Sequence, residues 1–395
     1  MSPEDNPFSP GAGAPPPKLT GRDDLVARAD TALKRAAAGR SHRGIVLLGL
    51  RGVGKTVLLN RIEDLAEEKN FFTIPIEAPE KKGLPETLVP KLFIALRKLS
   101  NVEAAKELTR KAFRGLATFA KGFKVDIGGV EASFDLGDGL FVSNDLEAEL
   151  PELFLSIGRA AKAAGRPLVL LLDEIQYLSK GDLSALIVAL HRVSQKQLPV
   201  AFFGGGLPQV AGLAGEAKSY AERLFSYEQI GQLSDEAADD ALTQAVEGSA
   251  ISFSPDALRA VREATKNYPY FLQEWGKHCW DLSPPGVVGE VLVSQASELA
   301  QKSLDAGFFN VRYDRMTPGE RAYVHAMARL GAGPHSAADV AGAMGSTTGK
   351  KGSTKNSLVK KGMVYSPQHG LSAFTVPLFD EFVLRHHGEE PIPGP

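Results

Sequence analysis

The chain has 395 residues, a length that suits two or three domains. Its formal net charge of −2, from 45 Lys+Arg against 47 Asp+Glu, excludes a globally basic nucleic-acid binder, so any such role must come from a local patch. A single cysteine, Cys279, excludes an internal disulfide and a cysteine-based zinc cluster. No apolar run approaches membrane-spanning length, so a soluble, cytoplasmic protein is expected.

Residues 1–18 are rich in Pro and Gly with little that could pack, and they are expected to form a disordered tail, as are residues 388–395. Leu19-Thr20-Gly21-Arg22 then leads into a helix with Leu25, Val26, Ala29, Ala32 and Leu33 at helical spacing. The apolar run Ile45-Val46-Leu47-Leu48 reads as a buried strand. It is followed by Gly49-Leu50-Arg51-Gly52-Val53-Gly54-Lys55-Thr56, an octet that fits the phosphate-binding pattern Gly-x-x-x-x-Gly-Lys-Thr. Val57, Leu58, Leu59, Ile62, Leu65 and Ala66 supply the apolar face of the helix behind it.

Glycines let such a loop turn tightly and aim backbone N–H groups at phosphate oxygens, and the helix presents its positive end to the same anion. Gly49, Gly52, Val53, Gly54, Lys55, Thr56 and Val57 are therefore expected around ATP. Lys55 would reach the β- and γ-phosphates as part of the catalytic apparatus, and the Thr56 hydroxyl would ligate Mg²⁺.

Phe71 to Ile76 reads as a second strand, and Pro79 to Gly122 as mostly helical with a basic second half. Residues 122–142 alternate in a way that predicts a β-hairpin, and residues 80–150 are expected to be an insertion in a core spanning 19–231. After a helix over 145–164, Leu168-Val169-Leu170-Leu171-Leu172-Asp173-Glu174 is too continuously apolar for a half-exposed strand and suits the centre of a parallel sheet. Its carboxylates fall at the C-terminal end, where open α/β sheets place their ligands. Asp173 would hold Mg²⁺ through water, and Glu174 would polarise the attacking water. Pro199 to Phe203 is a further buried strand, running into Gly204-Gly205-Gly206.

The strand–helix alternation ends near Ile230. Residues 232–304 predict a helical lid, with helices over 234–246, 254–267, 269–280 and 288–304. Residues 305–387 predict three helices and then a hairpin, the winged helix-turn-helix order. Lys350, Lys351, Lys355, Lys360 and Lys361 are interleaved there with Ser353, Thr354, Asn356 and Ser357. Such a helix can meet phosphates with its lysines and base edges with its short polar residues. Double-stranded DNA is thus the expected partner, through Lys350, Lys351, Ser353, Lys355 and Asn356.

These pieces together resemble the AAA+ ATPases of the Orc1/Cdc6-like and STAND-related branch, in layout over Leu19 to Arg385 and in motif at the phosphate loop and the Asp-Glu strand. The resemblance implies an α/β P-loop parallel-sheet core with a helical lid and a terminal winged helix. It also implies that Gly21 and Arg22 lie beside the adenine, and that Arg223 is an arginine finger reaching a neighbour's ATP in a homo-oligomer. Pro269 would pack on the nucleotide. The chain departs from the family in having no polar sensor at Gly204-Gly205-Gly206 and no second sensor arginine near Asn267-Tyr268-Pro269-Tyr270. The expected function is a slowly hydrolysing ATP switch coupled to DNA. One alternative is a STAND-like signalling ATPase whose winged helix contacts protein; another is a P-loop kinase of small molecules, for which no acceptor base is visible.

Overall fold

The computed structural model describes residues 1–126, 143–345, 352–368 and 370–388. The expected hairpin lies outside the described residues from residue 127 onward, as do Lys350 and Lys351. Two units emerge: Asp23–Gly49 with Lys55–Gln229, and Met1–Arg22 with Leu50–Gly54 and the chain from Ile230 onward.

The first unit runs α1 (Asp23–Ala37), β1 (Gly44–Leu48), α2 (Lys55–Glu68), β2 (Phe72–Glu77), α3 (Leu84–Leu99), α4 (Lys106–Gly122), α5 (Leu146–Ala163), β3 (Leu168–Asp173), α6 (Lys180–Gln195), β4 (Val200–Gly206), α7 (Val210–Ala217), α8 (Ala221–Leu224) and β5 (Phe225–Gln229). Its described strands form one parallel sheet in the order β2-β3-β4-β1-β5. The interior strands β1 and β4 are buried along their whole length, as continuous apolar runs require when both faces are covered. At the edge, β2 alternates buried Phe72, Ile74 and Ile76 with more exposed Thr73, Pro75 and Glu77. Pro75 lacks an N–H, and an edge strand with one partner tolerates that. Asp145 and Ser179 cap α5 and α6 by accepting from the first free N–H groups. Because β1 lies beside β4, the chain leaving β1 starts next to the end of β4, and Gly49 N donates to Gly206 O at 3.1 Å.

The second unit runs α9 (Asp235–Thr243), β6 (Ile251–Phe253), α10 (Pro255–Thr265), α11 (Pro269–Leu282), β7 (Gly286–Val288), α12 (Glu290–Leu304), a π-helical turn (Asp305–Phe309) and α13 (Asn310–Asp314). It continues with α14 (Pro318–Arg329), β8 (His335–Ser336), α15 (Ala337–Ala343), α16 (Gly352–Lys360), β9 (Val364–Tyr365), β10 (Leu371–Phe374) and α17 (Phe379–His387). The predicted helices are present to within a few residues. The short parallel pair β6–β7 and helix α17 have no counterpart in the sequence reading, since strands of three residues carry too little periodicity to register. Strands β8, β10 and β9 make a small antiparallel sheet, β8 lying between α14 and α15 and the β9–β10 pair following α16. An aromatic seam runs from α11 to α17. Tyr270 stacks on Phe308 with centroids 4.8 Å apart, Phe309 lies 5.2 Å from Phe382, and Tyr313 stacks on His387 at 3.9 Å.

The expected N-terminal tail is instead docked within this unit. Phe8 is buried against Gly276, where any Cβ would fall 2.5 Å from the ring. The terminal ammonium donates to Ser283 O at 2.9 Å, Asn6 Nδ2 to Asp281 Oδ1 at 2.8 Å, and Trp280 Nε1 to Ser2 O at 3.0 Å. Composition hides this because one aromatic and a few polar ends suffice when a glycine leaves room. The sole cysteine, Cys279, is buried, and burial pushes its thiol up to about 12, which leaves it unreactive. Among the described residues no helix is long and apolar enough to cross a membrane.

Glu320 anchors the C-terminal segment. It is buried and accepts from Lys361 Nζ, Ser357 Oγ and Thr317 N, each at 2.7 Å. Burial alone would raise its pKa, but these donors outweigh it and hold the carboxyl down at about 2, from an ordinary 4.5. A depressed carboxylate contributes stability that is complete above 4.5 and is lost as pH falls towards about 2. Glu320→Gln should therefore cost about 3 kcal/mol at neutral pH and flatten that acid dependence. Urea unfolding of the full chain at several pH values would measure both, and an unchanged acid slope would contradict the assignment.

Candidate functional site

The octet after β1 has the backbone its glycines predict. Gly52 and Gly54 take φ of +85° and +91°, a region that side chains rarely enter. Lys55, the first residue of α2, is buried, and its Nζ donates to Gly49 O at 3.0 Å. A buried ammonium on the first residue of a helix adds its charge to the positive end of that helix. Val53 is buried and Val57 half-buried, whereas Thr56 is exposed. The Thr56 hydroxyl donates to Asp173 Oδ2 at 2.5 Å.

The other end of that bond belongs to the acidic end of β3. Asp173 Oδ1 accepts from Glu174 N at 2.8 Å, and Glu174 itself is left-handed, with φ 54° and ψ 38°. This sharp turn carries Ile175 and Gln176 back over the end of β4. A Cβ on Gly204 would lie 2.4 Å from Ile175 Cδ1, one on Gly205 2.6 Å from Asp173 Oδ1, and one on Gly206 3.0 Å from Gln176 Oε1. The triple glycine, which reads in sequence as a missing sensor, is what lets the acidic turn close on β4. Gln176 escaped the sequence reading. Its Nε2 donates to Glu174 Oε2, and its Oε1 accepts from Leu207 N at 3.0 Å.

Within the second unit, the loop tip Leu50–Gly54 is held by its backbone. The Tyr268 hydroxyl donates to Arg51 O, Tyr270 N donates to Gly52 O at 3.2 Å, and Arg51 N donates to Thr375 O at 3.1 Å. Tyr268 is buried, and burial holds its phenol far above the usual range, so it stays a donor. A Cβ on Gly52 would press both tyrosines, at 3.1 Å from each. Pro269 opens α11 between the two. The sequence singled out Pro269, while the polar work falls to its neighbours; aromatic residues at a helix start gave no signal of it. Gly21 has φ +65° and no room for a Cβ beside Ala237, and Thr20 Oγ1 donates to Ala237 O at 2.9 Å. Arg22 donates to Gly231 O, and its partial burial lowers its pKa. Gly21 is thus packed on α9 and Arg22 is bonded to the segment leading into it.

Two outlying predictions fare differently. Arg223 is exposed on the short helix α8, with no ion pair to its guanidinium among the described residues. On α16, Ser353, Asn356 and Lys360 are exposed. Lys355 Nζ donates to Leu371 O at 2.9 Å and so braces β10. Partial burial also lowers its pKa. Ser357 and Lys361 likewise turn inward, to Glu320. The even spacing of lysines in sequence could not distinguish inner from outer faces.

The donor set suits a magnesium nucleotide. Thr56 and Asp173 offer hard oxygen atoms side by side, and Lys55 offers positive charge for phosphates. No cluster of three or more His, Cys, Asp or Glu suited to another metal occurs among the described residues.

A family model described as an AAA ATPase domain matches residues 18–203, and one described as a domain of unknown function matches residues 306–383. No curated protein matches the chain. Among solved structures, a Walker-type ATPase of Pyrococcus abyssi is similar at 14% identity over 95% of this chain and 99% of that one, with a TM-score of 0.59. The Cdc6p of Pyrobaculum aerophilum matches at 14% identity over 95% of each chain, with a TM-score of 0.48. The Orc1 protein of Aeropyrum pernix, solved in complex with DNA, matches at 17% over 94% of each, with a TM-score of 0.46. At these identities the likeness to the first is one of fold.

The glycine packing is testable. Gly205→Ala should drive the Asp173 carboxylate off Thr56, weaken magnesium-nucleotide binding about tenfold and destabilise the chain by about 1–3 kcal/mol. Gly212→Ala, where a Cβ meets nothing within 4 Å, is the control and should leave binding intact. Calorimetry on both variants decides; equal affinities would show that Asp173 has room to spare.

Proposed function

We propose, for a chain whose residues 18–203 match the model of an AAA ATPase domain, a slowly hydrolysing ATP switch whose nucleotide state is read by the C-terminal segment. The observation that carries this reading is the Arg51 peptide. Its N–H donates to Thr375 O, beyond β10, and its carbonyl accepts from Tyr268. A phosphate loop whose tip is bonded to the C-terminal segment cannot rearrange around a nucleotide without disturbing those bonds, and that reciprocity is what a switch requires.

In this reading the loop amides and Lys55 bind the phosphates, and Thr56 and Asp173 would hold Mg²⁺, which when bound neutralises phosphate charge. Glu174 takes a proton from water as the water oxygen attacks the γ-phosphorus. The bond from that phosphorus to the bridging oxygen breaks, and ADP leaves. Slowness is supported by the absence of a side chain at Gly204–Gly206 and of an arginine at 267–270. Arg223, exposed on α8, is the candidate finger for a neighbouring copy. A second reading adds duplex DNA as partner, favoured by the exposed Ser353, Asn356 and Lys360 together with the neighbouring Lys350 and Lys351 in sequence. The STAND-like alternative needs no DNA, and the inward turn of Lys355, Ser357 and Lys361 favours it.

Lys55→Ala should weaken ATP binding by about tenfold or more, since it removes a charge-assisted phosphate contact. Glu174→Gln should keep binding and slow hydrolysis by roughly 10²–10⁴. Wild-type affinity in the first variant, or wild-type turnover in the second, would reject the assigned role. Mixing Arg223→Ala with Lys55→Ala protein should restore part of the lost turnover if the finger acts between copies. Filter binding of the full chain to duplex DNA across a salt series separates the two partner readings. Each neutralised phosphate contributes roughly −0.9 to the log–log slope, and a chain that binds no duplex leaves the protein-contact reading.

A further inference from the structure

We infer that Gln176 is a positioning residue for Glu174, tying its carboxylate to the end of β4, and that Gly204-Gly205-Gly206 is the packing that admits it. The inference rests on the ATPase reading for its consequence, but the tie itself is geometric. A backbone N–H can only donate, so Leu207 N fixes the carbonyl end of the Gln176 amide at 3.0 Å. The NH₂ end is thereby directed at Glu174, whose Oε2 accepts from it. One side chain thus joins the candidate base to the residue that follows β4.

Strand β4 itself has no room for a side chain that could carry a polar group there. A Cβ on Gly206 would lie 3.0 Å from Gln176 Oε1 and 2.6 Å from Val210 Cγ2. Any side chain long enough to bear a polar atom would displace the amide or push α7 aside. At Gly205 it would strike Asp173, and at Gly204 it would strike Ile175. The polar group at the end of β4 is supplied instead from the turn after β3 (Ile175–Tyr177), which the left-handed Glu174 backbone folds into place. Held this way, the carboxylate keeps a donor and one orientation, which is what a group that must accept a proton from a positioned water needs.

The test is a double-mutant cycle on the full chain. Gln176→Ala should lower kcat about tenfold to a hundredfold with the dissociation constant of magnesium ATP unchanged. In the Glu174→Gln background the same change should alter kcat by less than about twofold, because the group it positions is already gone. Gln176→Asn, which keeps the amide but cannot span both partners, should behave like Gln176→Ala. An unaltered kcat, or an equal loss in both backgrounds, overturns the inference, as does a loss confined to ATP affinity. A readout independent of turnover is the side-chain ¹⁵NH₂ resonance of Gln176, assigned by its loss in Gln176→Ala. It should shift in Glu174→Ala, and an unmoved resonance overturns the tie. Wild-type protein that binds but never hydrolyses ATP would end the ATPase reading, and the resonance would still decide the tie.

Discussion

The close approach of β3 to β4 is the constraint from which the site follows. Their parallel register pairs Leu172 with Gly204, so the residues after β3 must cross a bare backbone. Three glycines in succession make the crossing possible, and each is needed by a different neighbour. The result is a turn in which every polar group named has a stated partner: Asp173 caps Glu174 and accepts from Thr56, and Glu174 accepts from Gln176. Two adjacent carboxylates repel each other, and donors fixed in this way make their proximity tolerable. A rigid sheet end gives the geometry, which loops alone would not hold.

Within the second unit the organising element is smaller, a single peptide group. Arg51 presents its N–H to Thr375 and its carbonyl to Tyr268. Tyr268 and Tyr270 flank the proline that starts α11, and the aromatic seam continues from Tyr270 through Phe308 and Phe309 to α17. Rings packed in this way make a continuous, close-packed body from the helix start at Pro269 to the C-terminal helix. The N-terminal residues add to the same body by filling the space beside Gly276.

These two arrangements bear on the proposed switch, in a chain that has no side chain at residues 204–206 and no arginine at 267–270. Gln176 supplies at the end of β4 a polar group that no β4 side chain could carry, and Tyr268 and Tyr270 donate to the loop's own backbone. Both arrangements act through neutral groups. Neutral donors perturb charge less than an arginine does.

Much was legible before any coordinates. The octet from Gly49 to Thr56, the run from Leu168 to Glu174 and the periodic helices after Ile230 are local patterns, and local patterns survive in one dimension because backbone sterics and hydrophobic period act between near neighbours. What one dimension could not carry was depth and direction. Gly204-Gly205-Gly206 reads as an absence until the turn after β3 is seen above it. Lys355 looks like Lys360 until one is found bonded to β10 and the other exposed, and residues 1–18 look structureless until Phe8 meets Gly276. The amino-acid order thus determined the nucleotide loop, the acidic strand end and the fold class. Which polar groups meet was left to tertiary packing, because Gln176 and Leu207, or Arg51 and Thr375, are brought together by sheet order and helix packing, and no spacing along the chain encodes that distance.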